Sequence, residues 1–340
     1  MDNSIVVDEL IDGMAKPQGS LGLLEKHARR VLNSWGGMSD FKPCHVVFAS
    51  DNGVVDEGVA TFPPVITYLQ AKNMVEGRAT INSFCRAYDI PCVVVDVGVN
   101  SPDAVGLDYK IARGSKNFVR EPAMSEAEYA AIHKAAGEVV TDLTGKGYTL
   151  FSFGEMGIGN TTTSSAVLHA LTGIEPEFVV GYGASQPNSE VIIRKRNAIV
   201  KGMELNRASL NTTQDIIRCL GGFDIVGMCA AMQKCAELGL PFVIDGFISA
   251  VSFACACRIN DAVKQYAIPS HLSKEPGMVY ALLLGGILVD EVPIRGNLAL
   301  GEGTGAVLMV GLLKAMLGAV KNMARMSDFD LSDAAIKTSV

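Results

Sequence analysis

The sequence predicts an α/β fold: a mostly parallel sheet with helices on both faces, joined to a small helical subdomain built from the two chain ends. Three observations carry this. Short, continuously apolar runs recur between turn residues, longer segments with helical periodicity separate them, and both ends of the chain are helical by pattern. Strands that are apolar without alternation are buried on both faces, as in a parallel sheet covered by helices.

In chain order, the first 35 residues read as helical, with Leu21, Leu24, Ala28, Val31 and Leu32 on one face. The turn Lys16-Pro17-Gln18-Gly19-Ser20 precedes that face and ends in Ser20, a candidate N-cap. After Pro43 the β-rich runs begin, at 45–50, 92–97, 148–153, 178–181 and 242–245. Helical segments such as 125–143 and 226–238 lie between them, giving a Rossmann-like layering. Val310, Leu313, Leu317 and Val320 mark one face of a terminal helix. The expected division is therefore 1–36 for the N-terminal part of the small helical subdomain, 37–305 for a large α/β catalytic domain, and 306–340 for C-terminal helices that pack with the small subdomain.

Composition narrows the function. Apolar residues make up 49% of the 340 and charged residues 19%, with 35 glycines, which fits a compact enzyme with many tight turns and argues against disorder. No apolar run is expected to span a bilayer, and Met1-Asp2-Asn3-Ser4 lacks the basic start of a signal peptide, so a cytoplasmic protein is expected, away from membranes. Eight cysteines, with no C-x-x-C pair, sit mostly in apolar runs and read as reduced core residues. A net charge of −7 argues against nucleic acid as a partner. The dense basic cluster Arg194-Lys195-Arg196, with Lys201, reads as a solvated helix face or as a local phosphate site. The five histidines show no ligand spacing, so no metal is expected.

Ligands of open parallel sheets bind beyond the carboxyl ends of the strands. That rule selects Asp51-Asn52-Gly53 with Asp56-Glu57-Gly58, then Gly98-Val99-Asn100, Gly154-Glu155-Met156-Gly157-Ile158-Gly159-Asn160-Thr161-Thr162-Thr163, Gly181-Tyr182-Gly183-Ala184-Ser185, and Asp245-Gly246-Phe247. The third of these is a strand, a glycine-rich turn and then small hydroxylated residues opening a helix, a geometry that offers backbone N–H groups to a phosphate. It lacks the lysine of a P-loop and the G-x-G-x-x-G spacing, which disfavours nucleoside triphosphates and NAD and leaves no cofactor expected. Glu155 would be repelled by a phosphate and is expected to meet sugar hydroxyls or the second substrate. Asn160 or Thr161 acting only as a helix cap is the alternative. Near the C-terminus, Leu300-Gly301-Glu302-Gly303-Thr304-Gly305 bares a single carboxylate among glycines, which permit unusual backbone conformations and close approach of a flat ligand. Shielded from water, such a carboxylate is suited to take a proton near neutral pH. The same pattern also fits a glutamate that merely complements a helix dipole, with Thr304 as N-cap.

Gly154-Glu155-Met156-Gly157 with Asn160-Thr161-Thr162, Asp245-Gly246-Phe247 and Leu300-Gly301-Glu302-Gly303-Thr304-Gly305, together with Lys16-Pro17-Gln18-Gly19-Ser20-Leu21-Gly22, Asp56-Glu57-Gly58-Val59, Gly221-Gly222-Phe223-Asp224 and Pro269-Ser270-His271, resemble one family over nearly the whole chain. It is the nicotinate-nucleotide:dimethylbenzimidazole phosphoribosyltransferases, which make the α-ribotide of the cobamide lower ligand. The resemblance implies a dimer whose partner helps close each active site, with nicotinate mononucleotide and an aromatic base as substrates. It implies Glu302 as the general base, Glu155 as a second active-site carboxylate, and Gly157 with its loop as the phosphate cradle. Asn160, Thr161, Gly183 and Asp245 join the phosphate and ribose contacts, with Lys195, or Arg194 in its place, as the cationic phosphate partner. Phe62, Gln70, Met156 and Gly303 form the implied acceptor pocket.

Four positions depart from the family pattern. Phe62 stands where many relatives have a small polar residue, and Met156 replaces a common leucine; a bulkier, less polar wall suits a smaller acceptor such as phenol or p-cresol, used by members that work as a pair of related chains. Ala299 replaces a frequent arginine and Asn52 a frequent histidine. The partner is thus expected to be a second copy or a related chain. Two other readings stand beside the enzyme: a catalytically weak paralogue that binds the nucleotide and completes a partner's active site, and an unrelated nucleotide-dependent α/β enzyme such as a methyltransferase.

Overall fold

The structure is a computed structural model that describes residues 3–183 and 187–329. Ala184 and Ser185 of the fourth loop and residues 330–340 of the C-terminal segment lie outside the described residues. Among the described residues one six-stranded sheet runs in the order β3-β2-β1-β4-β5-β6, every neighbouring pair parallel. Its strands are β1 (Pro43–Ser50), β2 (Cys92–Gly98), β3 (Leu107–Asp108), β4 (Leu150–Met156), β5 (Phe242–Ile244) and β6 (Ala267–Pro269). The chain steps outward in one direction from β1 and in the other from β4. The order therefore reverses between those two strands, and a crevice opens at their carboxyl ends.

Alternation along each strand assigns the two faces. Phe48, Phe151, Phe153, Phe242 and Ile244 point into one core, while Val47, Ala49, Leu150, Val243 and Ile268 point into the other. The first core lies under α5 (Glu126–Gly145), α6 (Asn160–Thr172), α9 (Thr213–Leu220), α10 (Phe223–Glu237) and α11 (Phe247–Ile259). Within it Phe48, Phe153, Phe242 and Phe253 form a chain of rings with centroids 6.1–6.4 Å apart. Each fully buried phenylalanine contributes about 1.5–3 kcal/mol, so this row is a main support of the strands that carry the site. The second core is covered by α1 (Asn3–Asp12), α2 (Leu23–Trp35), α3 (Val65–Val75), α4 (Thr80–Tyr88) and α13 (Thr304–Asn322). The chain ends meet there: Ala15 N donates to Ala324 O at 2.8 Å and Met326 N to Gly13 O at 2.9 Å.

The structure corrects four expectations. Residues 178–181 are not a strand: Pro176 opens a helical turn, α7 (Pro176–Val179), and the buried Val179 and Val180 owe their apolarity to core packing. Ser20 caps nothing, since α2 begins after Gly22, whose φ of 52° supplies the turn. Thr304 is not an N-cap; its hydroxyl donates back to Gly301 O at 3.0 Å. Finally, α13 is long and apolar enough by composition to cross a membrane, with a mean hydropathy of 1.5. Its apolar face is instead spent on the sheet, where Val307, Val310, Leu313 and Val320 are buried.

Candidate active site

Ahead of α13 three consecutive residues adopt left-handed backbone, Gly301 (φ 87°), Glu302 (φ 60°) and Gly303 (φ 88°). For a glutamate this costs roughly 1–2 kcal/mol, and specific contacts hold it. His45 Nε2 donates to the Glu302 carbonyl at 2.9 Å. Burial pushes the His45 imidazole down to about 4, so it is neutral; with Nε2 protonated, Nδ1 accepts from the Ser152 hydroxyl at 2.8 Å. The glycines are required: a Cβ on Gly303 would lie 2.0 Å from His45, and one on Gly154 would lie 2.3 Å from the Glu302 carbonyl oxygen. The turn aims the Glu302 carboxylate into a cleft of about 260 Å³. Gln70 Nε2 donates to it at 2.6 Å, and the Ile81 amide in the first turn of α4 at 3.1 Å. The side chain is 5% exposed, and the amino end of α4 favours its negative charge. Gln70 is oriented in turn by Asn73, whose Nδ2 donates to its Oε1 at 3.2 Å.

Glu155, near the end of β4, sits directly beneath this turn. Its carboxylate accepts from the Glu302 amide and from Asn160 Nδ2. Asn160, expected at the phosphate or ribose, lines the cleft and bridges two acids, because the same nitrogen donates to Asp224 Oδ2 at 2.9 Å. Burial first, then the neighbouring Asp224 charge, pushes Glu155 up to about 8. Burial raises Asp224 to about 6. Neither Asn160 nor Thr161 caps α6; Gly159 holds that position at φ 94°. Asp245 is committed as well: Oδ1 accepts from Ala306 N at 2.9 Å, supplying the side-chain cap of α13 that Thr304 does not.

A second group of cleft residues gathers around Lys195 on α8 (Ser189–Asn206). Lys195 is 3% exposed, which overturns the solvated-face reading at this position. Its Nζ donates to Thr161 Oγ1 and to Gly181 O, both at 2.9 Å. Burial lowers the pKa of its ammonium. Arg194 is spent elsewhere, donating to Gly58 O at 2.7 Å. The loop after β4 lines the cleft through Gly157, Gly159, Asn160 and Thr161, although the amides of Ile158, Asn160, Thr162 and Thr163 are bonded within the protein. Sequence reasoning missed Glu275, which lines the cleft and accepts from Gly183 N at 2.8 Å. Its segment, Ser273-Lys274-Glu275-Pro276-Gly277, has the composition of an ordinary solvated loop.

Phe62, Ile66 and Met156 form an apolar wall beside Glu302 and its partner Gln70, with Ala299 and Leu300 also lining the cleft. Gly303, expected in that pocket, lies behind Glu302 against His45 and lines no part of it. Of the motifs after β1 and β2, Asp51-Asn52-Gly53, Asp56-Glu57-Gly58 and Gly98-Val99-Asn100 line no part of the cleft, although Val59, Ala60 and Phe62 further along the β1 loop do. Asp51 accepts from Asn100 N at 2.7 Å, and Asp56 and Glu57 pair with Arg120 at 3.5 and 3.7 Å. Asn52 is buried next to Gly157 and Gly222.

Comparison with known proteins agrees with this geometry. A family model described as Phosphoribosyltransferase matches residues 5–330. The nicotinate-nucleotide–dimethylbenzimidazole phosphoribosyltransferase of Yersinia enterocolitica is 38% identical over 325 residues, covering 94% of this chain and 91% of the relative. The enzyme of the same name from Clostridium perfringens is 36% identical over 340 residues, covering 98% and 93%. The crystal structure of CobT from Thermus thermophilus superposes with a TM-score of 0.87 at 33% identity, covering 96% of this chain and 98% of that one. The chain belongs to the nicotinate-nucleotide–dimethylbenzimidazole phosphoribosyltransferase family.

Proposed function

We propose that this chain transfers phosphoribose from nicotinate mononucleotide to an aromatic acceptor, releasing nicotinate and giving an α-ribotide for cobamide biosynthesis. The observation that carries the reading is the Glu302 carboxylate, fixed by a backbone turn and aimed into the same cleft as the buried Lys195. The chemistry needs little more. The pyridinium of nicotinate mononucleotide departs neutral, so no acid is needed to expel it. Holding the two reactants together supplies about 7–11 kcal/mol toward the barrier, and a placed base adds about 10²–10⁴-fold. Glu302 takes the proton that the acceptor sheds, and displacement from the opposite face of the ribose inverts the anomeric carbon. Lys195, Thr161 and the amino end of α6 hold the 5′-phosphate. Glu155, neutral at pH 7 with its pKa near 8, braces the Glu302 turn from inside the cleft.

The acceptor is read as phenolic, because Phe62, Ile66 and Met156 narrow and dry the wall beside Glu302; Glu302 then deprotonates a hydroxyl. Phe62 in the cleft lining, and Val65 and Leu69 on the adjoining α3, remain 50%, 54% and 45% exposed, which supports a second chain, identical or related, closing over the cleft. The domain reading treats 1–36 and 306–340 as one small helical subdomain beside the 37–305 catalytic domain, supported by the pairing of the chain ends. The eight free thiols favour a reducing, cytoplasmic setting.

A competition assay tests all of this at once. The purified chain is offered nicotinate mononucleotide with 5,6-dimethylbenzimidazole, adenine, phenol and p-cresol together, and the products are identified by mass. Phenolic ribotides are expected to dominate. Exclusive use of the benzimidazole refutes the acceptor reading, and no nicotinate release with any acceptor refutes the transfer.

A further inference from the structure

Among the described cleft-lining carboxylates, Glu275 alone has neither a task in the mechanism above nor, like Asp245, a helix to cap. It is 8% exposed, and only half of it is occupied: Oε1 accepts from Gly183 N, while the buried Oε2 has no hydrogen-bond partner among the described residues. Buried carboxylate oxygens are normally satisfied, so an orphan on a cleft-lining residue points to a donor that arrives with the ligand. Its surroundings say which part of the ligand. The carboxylate lies against the backbone of Gly181, where an added Cβ would come within 2.4 Å of Oε2. Lys195 holds the carbonyl of that same Gly181, so a cation and an acid flank one peptide and both border the cleft. Lys195 spends its visible hydrogen bonds on Thr161 and Gly181 rather than on Glu275.

A phosphate resting on Lys195 offers only acceptor oxygens and would be repelled by the carboxylate. The hydroxyls of the attached ribose are donors within a few bonds of that phosphate. Glu155, the acid expected at the sugar, is already engaged by Asn160 and the Glu302 amide. Resting on the nucleotide reading above, we propose that Glu275 accepts a hydrogen bond from a ribose hydroxyl of the mononucleotide through its free Oε2, and thereby selects ribonucleotides over deoxyribonucleotides. The sugar hydroxyl then donates to Oε2, while the Gly183 amide holds the other oxygen and limits rotation of the carboxylate.

The test is a cycle between protein and substrate. Wild type, Glu275→Gln and Glu275→Ala are assayed with nicotinate mononucleotide and with its 2′-deoxy and 3′-deoxy analogues. With the ribonucleotide, Glu275→Ala is expected to lose about 10–100-fold in kcat/KM, as loss of a hydrogen bond to a charged group does. Glu275→Gln, which keeps the side chain's size and its contact near Gly183, is expected to lose less. With one of the two deoxy analogues the difference between wild type and both variants disappears. Equal losses on all three substrates mean that Glu275 only shapes the Gly183 loop, and overturn the proposal, as does a wild type indifferent to both hydroxyls. If no chain releases nicotinate from the ribonucleotide, the underlying reading fails and takes this one with it; activity with purely additive effects removes this one alone.

Discussion

The Glu302 turn and the Lys195 pocket line one cleft but are built by opposite means. At the turn, three left-handed residues fix the backbone and two donors, Gln70 and Ile81 N, fix the carboxylate. Position is set mostly by main chain, in a single short stretch. The Lys195 pocket has no such core: Thr161 comes from α6, Lys195 from α8, Gly181 and Gly183 from the loop after α7, and Glu275 from the segment after β6. Position there is set by how distant pieces of the chain pack. A side-chain change at the turn should therefore cost chemistry without costing structure, whereas a change at the pocket should cost ligand affinity and local order together.

Lys195→Ala is the sharpest probe of the second half of that statement. Removing a buried cation from a phosphate typically costs about 2–5 kcal/mol, so the KM for nicotinate mononucleotide should rise by about 10²-fold or more while kcat at saturation changes far less. Steady-state nicotinate release checks this, and a loss confined to kcat would break the comparison. A smaller effect should show in stability against pH. Glu155 is held near 8 in the folded chain against an ordinary value of 4.5, so between these limits the folded state binds a proton that the unfolded state has released. Its contribution is complete below pH 4.5 and is lost as pH rises through 8. Wild-type Tm should fall from about pH 5 to about pH 8.5 relative to Glu155→Gln by a few degrees, measured by calorimetry; parallel profiles for the two chains would show that Glu155 is not the group responsible.

The same contrast explains what the sequence could disclose. The interior strands were legible because burial on both faces makes each of β1, β2, β4 and β5 a mostly apolar run, interrupted at few positions such as His45, Asp96 and Ser152. The edge strands β3 and β6 were not, being two and three residues long, with Leu107 exposed and Pro269 ending β6. Apolarity alone misassigned 178–181, where a proline-initiated turn is buried as deeply as a strand. At the site, glycines around Glu302 left a local mark. Lys195 left an ambiguous one, since a charged helix residue reads the same whether it faces solvent or a cleft. Asn160 was placed in the loop that lines the cleft, but its bond to Asp224 left no local mark, because it joins residues 64 positions apart. Glu275 left no mark, because only the long-range packing of its loop against Gly181 and Gly183 gives it a function.

The central claim is that Glu302 removes the acceptor's proton, and the turnover number of Glu302→Gln tests it most directly. Glutamine keeps the length of the side chain and one oxygen to accept from the Ile81 amide, while Gln70 can turn its own amide oxygen to the new NH₂, so the fold and the KM for nicotinate mononucleotide should stay near wild type. The account predicts a fall in kcat of about 10²–10⁴-fold. A Glu302→Gln chain that turns over at the wild-type rate would contradict it.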